Sequence, residues 1–345
     1  MSENLIPIKT YLGKYYGELL YGASQAKYKD TGLDSFFEQR FYMQNNKVQM
    51  IVEPNVPGLV ISVSGNEIHV SQTLFKHPSF VITNSMEVSQ DTNPKSLYNP
   101  DTFSTVAYLI CQNHTSFKIV GPIDEPIYVK YSSDYETFYN SVLIFNILEG
   151  IDVEIVEEVE SFSALNSVTN YILGQGAKLD LKTFYKNHLS AISFCYRNVI
   201  AQVGAKYNHT LCGRGSSNVI DENKIYASSK SETEMLGIIN SEGMNFHSIL
   251  YVESALPDYK IDVNYRDILE DKCNVSFFPI IIGEAPPKED ADIVISNITV
   301  ENLNIDTIDT DISNFVYDIV DRLTLDRMTG TERFYSNKSD FIKIL

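Results

Sequence analysis

The sequence predicts an all-β protein whose body is a long series of short strands, arranged as a sandwich or a solenoid. Three observations carry this. Between Val142 and Pro279, β-branched runs such as VLIFNILEG, IDVEIVEEVES and AISFCYRNVIAQ recur at roughly one strand per ten residues, separated by Glu- and Gly-rich turns. No long amphipathic helix interrupts that series. Trp is absent while Tyr (22) and Phe (18) are abundant, and such rings can stack in ladders inside a β-solenoid.

The elements follow in order. Residues 1–50 mix apolar and aromatic positions with Glu, Leu, Lys and Gln, which predicts one or two short helices, with Asp34 capping SFFEQRFYMQ. VQMIVE, LVISVSG, EIHVSQ and SFVITNSMEV are short, alternating and bounded by Pro, Gly or Asn, so they predict strands. Residues 88–104 are a polar loop with two prolines. STVAYLICQ fits a short helix or a strand. FKIVG and PIYVKY are expected strands around the turn Pro122 to Pro126, and the repetitive region runs to about Gly283. GEAPPKEDAD then reads as an acidic turn and IVISNITVEN as one more strand pair. In DISNFVYDIVDRLTLDRM, Ile312, Phe315, Val316, Ile319, Val320 and Leu323 recur at helical spacing, which predicts a closing helix. The expected organisation is 1–104, a mixed helix and strand region; 105–283, the β core; and 284–345, a strand–helix extension.

Composition narrows the function. The chain has 345 residues, 43% hydrophobic, ample for a sizeable core. A formal net charge of -18 argues against binding a nucleic-acid backbone. The start, MSENLIPIKTYLGKYYG, lacks the apolar run of a secretory signal, and no segment approaches a membrane span. A cytoplasmic protein is therefore expected. Cys111, Cys195, Cys212 and Cys273 form no CxxC pair and read as free thiols.

Few residues carry recognisable chemistry. His209 and Cys212 form an H-x-x-C pair, a spacing that can close on a metal at a turn. Glu154, Glu157, Glu158 and Glu160 invite comparison with the paired acids of polysaccharide-cleaving β-helix enzymes. Alternation, however, puts Glu154, Glu158 and Glu160 on one strand face, where a solvated surface is the simpler reading. The turns Gly174-Gln175-Gly176 and Gly213-Arg214-Gly215 lack the Lys-Ser/Thr of a phosphate loop.

From about 105 to 283 the chain resembles the SufB/SufD family, the scaffold components of the SUF iron–sulfur cluster assembly system. The resemblance lies in the order of Glu125-Pro126-Ile127, Glu149-Gly150, Val156 to Ser161, Asn170, Gly176-Ala177-Lys178-Leu179, Leu211 to Gly215, and Asp271 to Val275 with Phe278-Pro279. It implies a right-handed parallel β-helix with short helical elements at both ends. It implies a scaffold or partner subunit rather than an enzyme, with a transient iron–sulfur cluster as cargo. Its implied partners are a SufC-like ATPase and a SufB/SufD-like subunit, in a homo- or heterodimer. Cys273, five residues before Phe278-Pro279, matches the family's sulfur- and cluster-accepting cysteine. Glu284, Glu289 and Asp290 are the nearby carboxylates that could supply oxygen ligands. The chain departs from the pattern in having no histidine after His247 and a short C-terminal helical region. A carbohydrate-active β-helix enzyme and a scaffold that lost its chemistry stand as the alternative readings.

Overall fold

The structure, a computed structural model, describes residues 5–7, 36, 38–43, 49–65, 67–84, 104, 107–108 and 115–301, less 189, 216–217, 242–244, 255–258, 270–273 and 284–291. The first strands are β1 (Ile6–Pro7), β2 (Arg40–Met43), β3 (Gln49–Glu53), β4 (Leu59–Ser64) and β5 (Glu67–Ser71). One helical turn, α1 (Gln72–Phe75), follows, and its first turn is capped by the Ser71 hydroxyl, which accepts from the Leu74 N–H at 3.3 Å. Then come β6 (Phe80–Asn84), β7 (Thr115–Ile119), β8 (Ile127–Ser133), β9 (Thr137–Ile147), β10 (Asp152–Ser161) and β11 (Ala164–Leu173). The series continues with β12 (Lys178–Tyr185), β13 (Ile192–Ala201), β14 (Lys206–Gly215), β15 (Asn218–Ala227) and β16 (Glu232–Ser241). It ends with β17 (Asn245–Ser254), β18 (Lys260–Leu269), β19 (Asn274–Gly283) and β20 (Asp292–Glu301).

From β8 onward the chain alternates between two sheets. The odd-numbered strands β9 to β19 lie side by side in sheet I, and the even-numbered strands β8 to β20 in sheet II. From β9 onward each strand pairs in parallel with the strand two before it. Two facing sheets are what a sandwich also shows. Here each coil gives one strand to each sheet, so the architecture is the parallel β-solenoid. The register is regular: Asp152 stands beside Lys178, Lys178 beside Lys206, and Lys206 beside Glu232, steps of 26, 28 and 26 residues. The sheets run past both expected core boundaries, because β4 pairs with β8 and β20 pairs with β18.

Side-chain alternation divides each strand between lumen and exterior. The lumen is apolar for most of its length. Phe80, Phe117, Phe145 and Tyr171 form a stack through neighbouring strands, with ring centroids 5.4, 5.1 and 5.5 Å apart. This is the aromatic ladder the composition suggested. Sheet I is covered on its outer face as well, and all ten residues of β11 are buried. Phe36 packs there at 5.6 Å from Phe138 and 5.2 Å from Phe194, and Tyr108 donates to Asn170 Oδ1 at 2.9 Å. Asparagines on this face bond along the stack, Asn166 to Asn140 at 2.8 Å and Asn198 to Asn170 at 3.0 Å.

One corner of the solenoid depends on glycine. Gly150, Gly176 and Gly204 occupy equivalent positions on successive coils with φ of 67°, 63° and 68°. Each donates its N–H to the next coil: Gly150 to Gln175, Gly176 to Val203 and Gly204 to Ser229, at 2.9 to 3.0 Å. The following coil carries Lys230 at this place with φ 58°, a conformation that costs a side-chain-bearing residue energy.

Two expectations need correction, and one open reading is resolved. The helix expected from Asp34 does not run through SFFEQRFYMQ: Phe36 is helical, but Arg40–Met43 is a strand. Pairing of Tyr42 and Met43 with Thr137 and Phe138, together with burial of Phe41, outweighs local helix preference. STVAYLICQ, left open between helix and strand, is helical at Ser104, Ala107 and Tyr108. IVISNITVEN is one ten-residue strand rather than a pair, because it extends β18 in register from Asp292 to Glu301. The expected C-terminal helix lies outside the described residues. No helix among the described residues is long and apolar enough to cross a membrane.

Candidate functional site

The notable chemistry of the described chain is a buried ionic network in the lumen. Alternation along β10 sends Glu157 inward between Ile155 and Val159, while Glu154, Glu158 and Glu160 point outward, as the pattern predicted. Outside, Glu154 pairs with Lys182 at 2.6 Å, Glu158 with Lys186 at 3.6 Å and Glu160 with His188 at 3.4 Å. No open pair of acids is left on this strand, so the arrangement gives no support to a polysaccharide-cleaving site.

Inside, β13 places Arg197 between two carboxylates from different strands. Arg197 donates from Nε to Glu157 Oε2 at 2.7 Å, and Nη1 donates to Asp221 on β15. Glu157 also accepts from Tyr171 at 2.6 Å and from Thr183 at 3.1 Å. Asp221 accepts from the Tyr185 hydroxyl and from Asn223 Nδ2, the latter at 2.6 Å. Glu157, Arg197 and Asp221 are each at most 2% exposed. A charge so deep is tolerated only when it is paired and hydrogen-bonded. Here the carboxylates act only as acceptors, and the guanidinium is met on both sides.

Electrostatics follow from that burial. Burial opposes the Arg197 charge, yet Glu157, Tyr185 and Asp221 outweigh it and hold its pKa well above the ordinary value. Burial first, then the Glu157 charge, pushes Tyr131 and Tyr171 well above the phenol range, and burial does the same to Tyr185. Cys195, lumenal on the same strand as Arg197, is raised to about 11 by burial. His209 is driven well below the ordinary imidazole value by burial and by Arg197, so it is neutral. The cluster is a closed electrostatic joint between coils, with no thiolate to offer.

The residues picked out from sequence fall in different places. His209 is lumenal on β14, in register with Leu181 and Met235, and its Nε2 lies 3.0 Å from Thr183 Oγ1. Cys212 is three residues on in the same extended strand, in register with Phe184 and Ile238. An odd separation puts the two side chains on opposite faces, so the structure does not bring them to one ion. The H-x-x-C reading assumed a turn, and the segment is a strand. Cys195 and Cys212 are both buried and neither is in a disulfide. Cys273, Glu284, Glu289 and Asp290 lie outside the described residues. The described strand β19, Asn274–Gly283, runs between Cys273 and Glu284. Among the described residues, no group of three or more His, Cys, Asp or Glu side chains is placed to hold a metal ion.

Sequence reading missed Arg197 and Asp221. The signal was available: both stand at inward positions of strands whose other inward residues are mostly apolar, as in AISFCYRNVIA and NVIDENKIYA.

These features define a parallel β-solenoid domain whose described lumen is filled by apolar side chains and a buried ionic network. Residues 130–284, from within β8 to just past β19, match the family model described as SUF system FeS cluster assembly, SufBD core domain, and this part of the chain belongs to that family. No curated protein matches the chain. The chain is thereby tied to SUF iron–sulfur cluster assembly.

Proposed function

We propose that the protein is a SufB/SufD-like subunit of the SUF machinery that serves as scaffold or partner and has no turnover of its own. The observation that supports this most is the placement of the SufBD core match on the coils of a continuous solenoid. A stack of strands offers length and exposed edges for pairing. The described lumen, filled by buried side chains, offers no reactive thiolate. On this reading the protein pairs with itself or with a SufB-like subunit in the cytoplasm and associates with a SufC-like ATPase. The cluster is cargo, received at Cys273, whose thiolate would ligate iron or attack the sulfane sulfur of a donor persulfide, releasing the donor as its thiolate.

Two experiments test the reading. Co-expression with a SUF ATPase and a SufB-like subunit should yield a complex of fixed stoichiometry, and recovery of the chain alone under all pairings refutes the assembly role. Anaerobic loading with iron and sulfide compares wild type with Cys273→Ser, Glu284→Gln and Glu289→Gln. Reduced loading only in Cys273→Ser is expected, and equal loading in all four removes Cys273 from the cargo site.

A further inference from the structure

We propose that the lumen binds one internal water molecule between His209 and Asn223, donating a hydrogen to each. The argument begins with the direction of the hydrogen bonds. Thr183 Oγ1 donates to Glu157 Oε2 at 3.1 Å, because a carboxylate oxygen only accepts. The hydroxyl has one hydrogen, so at its 3.0 Å contact with His209 Nε2 it is the acceptor. Nε2 therefore carries the proton, and Nδ1 of the neutral ring presents a lone pair. Asn223 is fixed in the same way: its Nδ2 donates to Asp221 Oδ2 at 2.6 Å, which leaves Oδ1 as an acceptor.

Both acceptors are buried without a donor among the described residues. His209 is 1% exposed and Asn223 is fully buried. They belong to one coil. His209 lies six residues before Gly215, the end of β14, and Asn223 five residues after Asn218, the start of β15. Those distances differ by one residue, and both side chains face inward, so the two lie near one another across the lumen, offset by about one strand residue. Facing sheets lie about 10 Å apart. The proposed water stands between the imidazole and the carboxamide and keeps their two lone pairs from facing each other directly. Burying either acceptor unpaired costs about 1–3 kcal/mol, so a bridging donor is strongly favoured. Water carries two hydrogens at a suitable angle and typically makes about three such bonds. The bridge closes a loop running from His209 through Thr183, Glu157, Arg197, Asp221 and Asn223.

The test uses the full wild-type chain. A crystal structure showing ordered solvent should contain a peak within about 2.7–3.2 Å of both His209 Nδ1 and Asn223 Oδ1. Direct contact of the two side chains, a metal ion identified by anomalous scattering, or the absence of a peak overturns the proposal. In solution, long-range proton–nitrogen correlation spectra should show His209 as the Nε2–H tautomer at neutral pH. An Nδ1–H tautomer or an imidazolium there refutes the assignment equally.

Discussion

Arg197 donates to Glu157 at 2.7 Å across 40 residues of sequence, in a lumen where neither side chain is more than 2% exposed. The pair joins strands in different sheets, β13 in sheet I and β10 in sheet II, and Asp221 adds β15 to the same joint. Such a joint resists rearrangement because each charge, once separated, is stranded in an apolar surround.

Arg197→Met is therefore expected to lower stability by about 3–5 kcal/mol, since it leaves two uncompensated buried carboxylates. Urea unfolding reads this directly. Adding Glu157→Leu and Asp221→Leu removes those carboxylates and should restore much of the loss. An Arg197→Met variant as stable as wild type would show that the three groups are not coupled.

Acid should destabilise the protein partly through His209. The folded-state pKa is lowered, so the unfolded chain binds the proton more readily. Stability is thus unaffected well above pH 6.5, the ordinary value, and falls as pH drops below it, by up to about 1.4 kcal/mol per pH unit. The decline continues until the folded-state pKa is reached. His209→Gln should show a flatter slope just below that pH in urea midpoints measured across the range. An unchanged slope would mean the ring is not held neutral.

The glycine corner offers a paired comparison. Gly176→Ala forces a side chain into a left-handed conformation and is expected to destabilise by about 1–2 kcal/mol. Lys230→Gly relieves the same strain one corner further on and should stabilise by up to about 1 kcal/mol. Thermal melts of both variants would settle the sign, and a loss of stability in Lys230→Gly contradicts the strain argument.

Cys195 should be inert in the native state. Its thiol is fully buried and raised to about 11, so thiolate is scarce at pH about 8. Alkylation followed by mass spectrometry should find it modified only after unfolding. Labelling in the native protein at the rate of a free thiol would place it outside the lumen.

Much of the fold was legible in the sequence for a simple reason. Strands such as VQMIVE, EIHVSQ and PIYVKY carry their own alternation and their own turn residues, which are local properties. Glu154, Glu158 and Glu160 could be placed outside from parity alone. The segment Arg40–Met43 could not be read, because its strand exists only through its partner at Thr137 and Phe138. His209 and Cys212 misled because H-x-x-C spacing means proximity in a turn and opposition in a strand.

By itself the sequence established a run of evenly spaced strands, the kinship with the SufB/SufD family and the outward set of acids, since all three are written in order, period and parity along the chain. Period and parity left sandwich and solenoid open and the family resemblance pointed to the parallel solenoid; tertiary structure settled the choice, because from β9 onward each strand pairs in parallel with the one two before it. It also decided that Glu157, Arg197 and Asp221 meet, because coil stacking brings together residues 24 and 40 positions apart through registers no local pattern records.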